Sequence, residues 1–119
     1  MDPNLAQDLL TLLEERRRRA TGRRAALTAD VDDIVERSSD AARDDEHDPE
    51  GATIAFERAQ VAALLSAAER ELVEVDRAVE RVQAGIHDRC ERCGGEVPAE
   101  RLRARPATRT CVSCARADA

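Results

Sequence analysis

The chain has 119 residues and a formal net charge of −6, and 37% of its residues are charged, with arginine at every Lys/Arg position. It contains one phenylalanine and no tryptophan or tyrosine. This length allows one small domain, and so few aromatic residues argue against an ordinary globular core. The composition is instead typical of long helices packed along a narrow seam.

The N-terminal residues give no sign of a secretory signal. Residues 1–8 lack a basic start followed by an apolar run. No stretch approaches the length of apolar sequence that crosses a membrane. We therefore expect a reduced, cytoplasmic setting without a membrane partner, where cysteines bind metal more often than they form disulfides.

The segment from Leu5 to Ala41 is predicted to be the first long helix. Its apolar positions are separated by three or four residues, or by sums of these steps, which is typical of one helical stripe. Arginines and Gly22 interrupt the stripe, so we expect a kink or a local fray near Gly22. The run Arg16–Arg19 is interpreted as a solvated helix face rather than a nucleic-acid patch. The stripe comprises Leu5, Leu9, Leu12, Ala20, Leu27, Val31, Ile34, Ser38 and Ala41.

An acidic link, residues 43–51, separates the two predicted helices. Asp48 followed by Pro49 predicts a helix start, with Asp48 as the N-cap and Pro49 at the first helical position. Because the link is short, the two helices should be antiparallel neighbours in a helical hairpin. About 35 residues per arm at ~1.5 Å per residue predict a rod about 50 Å long.

The second predicted helix has the more regular pattern. Its apolar residues alternate steps of four and three for more than three heptads, which favours a coiled coil. Gly85 is expected to loosen the end of this helix. Phe56 is interpreted as a staple between the two arms below the link, with a direct partner contact as the alternative. The seam comprises Val61, Leu65, Ala68, Leu72, Val75, Val79, Val82 and Ile86.

Negative charge is concentrated near the link. Residues 30–57 hold eleven acidic residues against two arginines, a net charge of −9. Either this acidic tip keeps the turn soluble, or it is an electrostatic probe for a positive or metal-containing cavity. Duplex DNA would repel it, so no direct sequence-specific DNA binding is expected, and His47 is interpreted as a solvated loop residue. The candidate partner-binding residues of the tip are Asp44, Asp45, Glu46 and Asp48.

Four cysteines in two pairs predict a metal site. Each pair has two intervening residues, an interval that lets one tight turn aim two thiolates at a single tetrahedral Zn²⁺ ion. Gly94 can relieve the backbone where the first turn closes. Two disulfides, or a redox dithiol pair, are the alternatives. The candidate zinc ligands are Cys90, Cys93, Cys111 and Cys114.

A site with four cysteine ligands is coordinatively closed, so we expect one structural zinc ion that holds shape and does not activate water. His87 is not expected to replace a cysteine on the metal. Beside the acidic residues, no general base, nucleophile or phosphate loop completes a catalytic site. We therefore expect no enzymatic activity and assign no catalytic residue.

The cysteine segment resembles the signature of the DksA/TraR zinc-finger family. The resemblance rests on Cys90-x-x-Cys93-Gly94, on Arg101-Leu102 with Ala104 and Pro106, and on Cys111-x-x-Cys114, and it extends back to Asp48-Pro49. It implies a transcription regulator that binds RNA polymerase rather than DNA. In such proteins the hairpin enters the secondary channel of the polymerase, and the acidic tip approaches the catalytic Mg²⁺ region.

The chain departs from the family pattern at the tip. The family form is Asp-x-x-Asp-x-Ala. Alignment on Asp48 puts Gly51 at the second Asp and Thr53 at the Ala, whereas alignment on Asp45 and Asp48 puts Glu50 at the Ala. The resemblance therefore implies polymerase binding, but not the same effect on initiation.

Two further departures concern a nucleotide site and the C-terminus. Some family members bind ppGpp where the rod meets the ribbon. Arg105 matches one residue of that pocket, but Ala115 replaces a lysine and Glu74 would repel phosphate, which argues against a ppGpp effect through this site. The sequence ends five residues after Cys114, so the C-terminal helix of the family is expected to be missing or nearly so.

These observations predict an all-α antiparallel helical hairpin, a coiled coil, followed by a small C-terminal zinc ribbon with four cysteine ligands. The predicted hairpin domain is residues 1–86, with its tip at about 44–51, and the zinc-finger domain is residues 87–119. Two functions stay open: a regulator of RNA polymerase acting through the secondary channel, and a zinc-ribbon coiled-coil adaptor or scaffold without channel activity.

Overall fold

A computed structural model describes residues 3–41 and 49–118. The four helices in this part of the chain are α1 (Pro3–Ala41), α2 (Pro49–Gln83), α3 (Ala99–Ala104) and α4 (Val112–Ala117). The only β pairing among the described residues is an isolated antiparallel bridge between Arg89 and Glu96. The predicted all-α class is therefore confirmed. The acidic tip residues Asp44, Asp45, Glu46 and Asp48, together with His47, lie outside the described residues.

The chain forms two compact units. The finger unit contains residues up to Arg18 and residues from Leu72 onwards, so it joins the start of α1 and the end of α2 to the cysteine segment. The hairpin unit contains Arg19–Glu71. The predicted domain boundary between residues 86 and 87 stays a prediction. No described helix combines the length and apolar character needed to cross a bilayer.

The finger unit has one continuous hydrophobic core, to which both long helices and the cysteine segment contribute. In α1 the core takes in Leu13, which is fully buried, whereas Leu12 is 37% exposed. The prediction that Leu12 belongs to the stripe is therefore wrong. Consecutive residues point about 100° apart on a helix, so burying Leu13 turns Leu12 toward solvent. The core comprises Leu5, Leu9, Leu13, Val75, Ala78, Val82, Cys90, Val97 and Leu102.

Helix α2 follows the predicted seam until its last turn. Ala68, Val75 and Val82 are buried, but Ile86 lies beyond the helix and is partly exposed. Gly85 has a φ of 74°. Its N–H donates to Val82 O at 3.0 Å, and the Ile86 N–H donates to Arg81 O at 3.0 Å. This pair of bonds is a Schellman motif, so Gly85 ends the helix with a defined cap rather than loosening it.

In the hairpin unit α1 and α2 run antiparallel, and an ion pair between Arg37 Nη2 and Glu57 Oε2, 2.7 Å apart, joins them. Helix α1 is continuous through Gly22, so the predicted fray there is wrong. Phe56 is 70% exposed, so its interpretation as a staple is also wrong. Ile54 and Glu57 are half-buried on α2, and Phe56 lies two residues, about 200°, from Ile54.

Two arginines of α1 form ion pairs within the finger unit. Arg17 Nη1 lies 2.5 Å from Asp76 Oδ1 on α2, and Arg18 pairs with Glu15 within α1. These side chains are at least one third exposed, so each pair contributes at most about 1 kcal/mol. Such pairing is typical of a solvated helix face.

Candidate metal centre

The first cysteine pair lies on a short turn after α2. The Val97 N–H donates to Asp88 O and the Cys90 N–H donates to Gly95 O, both at 2.7 Å, and these two bonds hold the flanking segments together. The Gly94 N–H donates to Cys90 O at 3.0 Å. Gly94 has a φ of 73°, a conformation that other residues rarely adopt. The glycine therefore closes the turn, as the sequence predicted.

A second glycine in this turn, Gly95, lies close to the sulfur of Cys93. The Gly95 N–H lies 3.4 Å from Cys93 Sγ and donates to it. A Cβ atom at Gly95 would lie 3.2 Å from the same sulfur. A thiolate that binds metal gains from such a backbone donor, and glycine permits the close approach. Sequence reasoning did not single out Gly95.

The second cysteine pair lies at the start of α4. Cys111 is the N-cap residue of this six-residue helix, and Cys114 lies in its first turn. The Ala115 N–H donates to Cys111 O at 3.0 Å. One helical turn therefore brings both sulfurs to the same side. The short α4 occupies the place where the sequence predicted little or no C-terminal helix.

The loop between the pairs is fixed by side chains and by α3. Leu102 on α3 is buried in the core of the finger unit. Arg101 Nε donates to Thr110 O at 2.9 Å, next to Cys111. The Glu91 N–H donates to Arg109 O at 2.8 Å, which ties the first turn to the segment before the second. Sequence reasoning gave Arg101 only as part of the family signature, and it missed Arg109.

The four sulfur atoms form one compact group. The ligand atoms of Cys90, Cys93, Cys111 and Cys114 all lie within 4.8 Å of one another, and no cysteine is in a disulfide. The Cys93 and Cys111 sulfurs are 3.8 Å apart. Four sulfurs at about 2.3 Å from a tetrahedral Zn²⁺ would be about 3.8 Å apart, so the cluster has the size that zinc requires.

Hydrogen bonds give two of the thiols very different pKa values. Backbone N–H groups, first that of Cys93 and then that of Cys111, lower the pKa of Cys90 to about 6. Side-chain interactions with Cys111 and then with Cys90 favour the protonated thiol of Cys114 and raise its pKa to about 12. Zinc binds thiolates, so a bound ion would draw the proton from Cys114.

Histidine is not part of the cluster. His87 is buried, and among the described residues the group that could hold a metal consists of the four cysteines. Both ring nitrogens of His87 lack a hydrogen-bond partner. The structure thus agrees with the expectation that His87 does not replace a cysteine.

At the position considered for a nucleotide site, Glu74 contacts two arginines. Glu74 Oε2 lies 3.5 Å from Arg109 Nε, and Glu74 Oε1 lies 3.8 Å from Arg77 Nη1. Arg109 also lies 3.6 Å from Glu91. Arg105 is exposed and Ala115 is half-buried. The two arginines nearest Glu74 are thus already paired with carboxylates.

The fold and the cysteine cluster together define a class: a protein with a helical hairpin and a C4-type zinc finger. Residues 83–118 match the family described as the prokaryotic dksA/traR C4-type zinc finger. This segment therefore matches the family that the resemblance had indicated, and its cofactor is one structural zinc ion.

The chain is similar to known proteins over different lengths. The structure of transcription factor DksA2 from Pseudomonas aeruginosa matches with a TM-score of 0.80 over 99% of this chain and 85% of that one, at 20% sequence identity. At this identity the match establishes the fold. An uncharacterized protein from Aquifex aeolicus (strain VF5) is 50% identical over 44 residues, 37% of this chain and 30% of that protein. The match thus spans less than a third of that relative.

Proposed function

We propose that the chain is a transcription regulator that binds RNA polymerase and inserts its acidic tip into the secondary channel to modulate initiation. The observation that carries the proposal is a C4 cysteine cluster of zinc dimensions on a fold shared with a transcription factor. Its cytoplasmic setting would follow from this partner. The mechanism is binding, and no bond of a substrate is made or broken.

Zinc is the first element of this function. We assign its ligation to Cys90, Cys93, Cys111 and Cys114, which would act as a clamp. Both long helices contribute to the core that also contains Cys90. Metal binding to the four thiolates would therefore fix the ends of both helices, since the binding free energy of a structural zinc is also folding free energy.

The acidic tip is the second element. Asp44, Asp45, Glu46 and Asp48 would be attracted to the Mg²⁺ region and to basic residues along the channel, because a concentrated negative charge steers toward positive potential. Opposite charges inside a narrow channel interact more strongly than in open water. The tip would thereby change how readily promoter complexes open or persist.

A ppGpp response through the surface around Glu74 is not part of the proposal. Glu74 would place a carboxylate beside the phosphates, and its contacts with Arg77 and Arg109 partly neutralise both cations. We expect the effect of the protein on transcription to be the same with and without ppGpp when the polymerase itself carries no ppGpp site.

The test is a purified transcription assay with a charge-neutral tip. The variant Asp45→Asn/Asp48→Asn should keep its zinc and its helicity but lose its effect on transcription. A matched control is Asp32→Asn/Glu36→Gln, which removes the same charge from two exposed positions on α1. A tip variant that alters transcription like the parent would rule out the tip mechanism. If the folded, zinc-loaded protein does not associate with core polymerase at all, an adaptor function is favoured.

A further inference from the structure

The hairpin unit contains an open apolar groove between α1 and α2. Its volume is about 510 Å³. The floor consists mainly of alanine and leucine side chains, and charged residues lie at one end. The lining residues are Arg23, Ala26, Leu27, Leu64, Ala67, Ala68 and Glu71. All of them belong to the hairpin unit.

This unit buries little apolar surface of its own. Among its described residues the buried apolar side chains are Ala20, Ile34 and Ala68, and two of these are alanines. Leu64, at the edge of the groove, is 51% exposed. Burial of apolar area contributes roughly 25 cal/mol per Å², so covering the groove and Leu64 would stabilise this unit. A two-helix hairpin commonly meets this need by forming a four-helix bundle with a second hairpin.

The charges along α1 indicate which partner fits. Arg23 lies three residues before Ala26, and Asp30 lies three residues after Leu27. The face of α1 at the groove therefore has a cation on one side of its centre and a carboxylate on the other. A second α1 turned end for end would place Asp30 opposite Arg23 and Arg23 opposite Asp30, as a two-fold axis requires.

The distribution of charge along the chain favours the same arrangement. Residues 30–57 carry a net charge of −9. An antiparallel pair keeps these two acidic segments at opposite ends, whereas a parallel pair would place them side by side and they would repel.

We propose that the groove is a self-association surface occupied by a second copy of this chain, antiparallel about a two-fold axis between Ala26 and Leu27. Leu64 of each copy packs into the groove of the other. Arg23 of each copy pairs with Asp30 of the other. This interaction does not depend on RNA polymerase.

The first test is the mass of the zinc-loaded protein by sedimentation from micromolar to millimolar concentration. The parent should rise from the mass of one chain, 13.1 kDa, to twice that value. Leu64→Glu should keep the mass of one chain over the same range. Val35→Glu is the matched control, since Val35 is also 51% exposed but lies about 180° from Ala26 on α1. It should associate like the parent.

The second test identifies the arrangement by mixing. Arg23→Glu alone and Asp30→Arg alone should each fail to associate, because like charges then meet across the axis. An equimolar mixture of the two variants should associate, because both contacts become complementary. An effect within one chain cannot be restored by mixing.

Three results would overturn the proposal. The first is a parent that stays at the mass of one chain over the whole concentration range. The second is association that survives Leu64→Glu. The third is a mixture of the two charge variants that associates no better than either alone.

Discussion

The sulfur atoms of Cys93 and Cys111 lie 3.8 Å apart although seventeen residues separate the two cysteines in the chain. This distance is about the edge of a tetrahedron of sulfurs around zinc. We expect metal analysis to find one Zn per chain. Cys93→Ser should lose most of the bound metal, since a neutral hydroxyl is a poor replacement for a thiolate. Ser113→Ala, between the second pair, should retain it.

If Cys93→Ser keeps a full complement of zinc, the four-cysteine assignment is wrong. Loss of zinc in this variant should also weaken the finger unit. Part of the helical circular dichroism signal should remain, because the hairpin unit contains none of the four cysteines.

The pKa values of the metal-free thiols predict how many protons zinc releases. The pKa of Cys90 is lowered to about 6, so this thiol loses its proton above that pH, while the pKa of Cys114, raised to about 12, keeps its proton at neutral pH. Bound zinc requires thiolates at every pH where it binds. As the pH falls from neutral through 6, Cys90 gains a proton, and proton release on zinc binding should rise by about one per chain.

Calorimetry of zinc binding in buffers of different ionisation enthalpy measures this count. Cys90→Ser is not a usable control, because it also removes a ligand. The informative comparison is the same protein at pH 7.5 and at about pH 5 to 5.5. These conditions lie above and below the pKa of Cys90, the lower one by roughly one pH unit. A count that stays constant between these conditions contradicts the low pKa of Cys90.

Burial of Leu13 and exposure of Leu12 predict opposite costs for the same substitution. Leu13→Ala should lower the free energy of unfolding by ~2–5 kcal/mol, because it leaves a cavity in the core of the finger unit. Leu12→Ala should cost about 1 kcal/mol or less, because the side chain is already partly in water. Urea denaturation of the zinc-loaded variants measures both. Equal costs, or a larger cost at Leu12, would contradict the observed helix orientation.

Gly22 within α1 and Gly85 just beyond the end of α2 should respond to alanine in opposite directions. At Gly22 a Cβ atom meets nothing within 4 Å, so Gly22→Ala should stabilise α1 by ~0.5–1 kcal/mol through the lower entropy of the unfolded chain. At Gly85 the φ of 74° belongs to the left-handed region, so Gly85→Ala should cost ~1–2 kcal/mol. Thermal denaturation of the two variants provides the comparison. A stabilising effect at Gly85 would show that the Schellman cap does not form.

Much of the helical architecture follows from the periodicity of apolar residues. The seam of α2 from Val61 to Val82 could be predicted because a heptad repeat leaves one consistent face. The burial of Leu13 rather than Leu12 could not be predicted, because the buried face of α1 depends on what covers it in the finger unit. Phe56 was misassigned for a related reason: its size suggested a core role, but its position relative to Ile54 puts it on the exposed side.

The cysteine site could be predicted more completely than its surroundings. The spacing of two Cys-x-x-Cys pairs predicts a zinc site. The long-range contacts that hold the loop carry no such pattern. Arg103 Nη1 lies 2.6 Å from Asp8 Oδ2, across 95 residues, and Arg109 reaches Glu74 on α2. Many arginines along the chain offer equivalent charges, so only the folded geometry selects the ones that pair.

The most direct test of the proposed function is site-specific photo-cross-linking from the acidic tip to RNA polymerase. A cross-linking residue at Glu46 in the zinc-loaded protein should label polymerase segments that line the secondary channel near the catalytic Mg²⁺ ion. The same residue at Val112, an exposed position on α4, should not label those segments. Labelling from Glu46 confined to the outer surface of the polymerase, or no labelling by a folded protein, would contradict insertion of the tip into the channel.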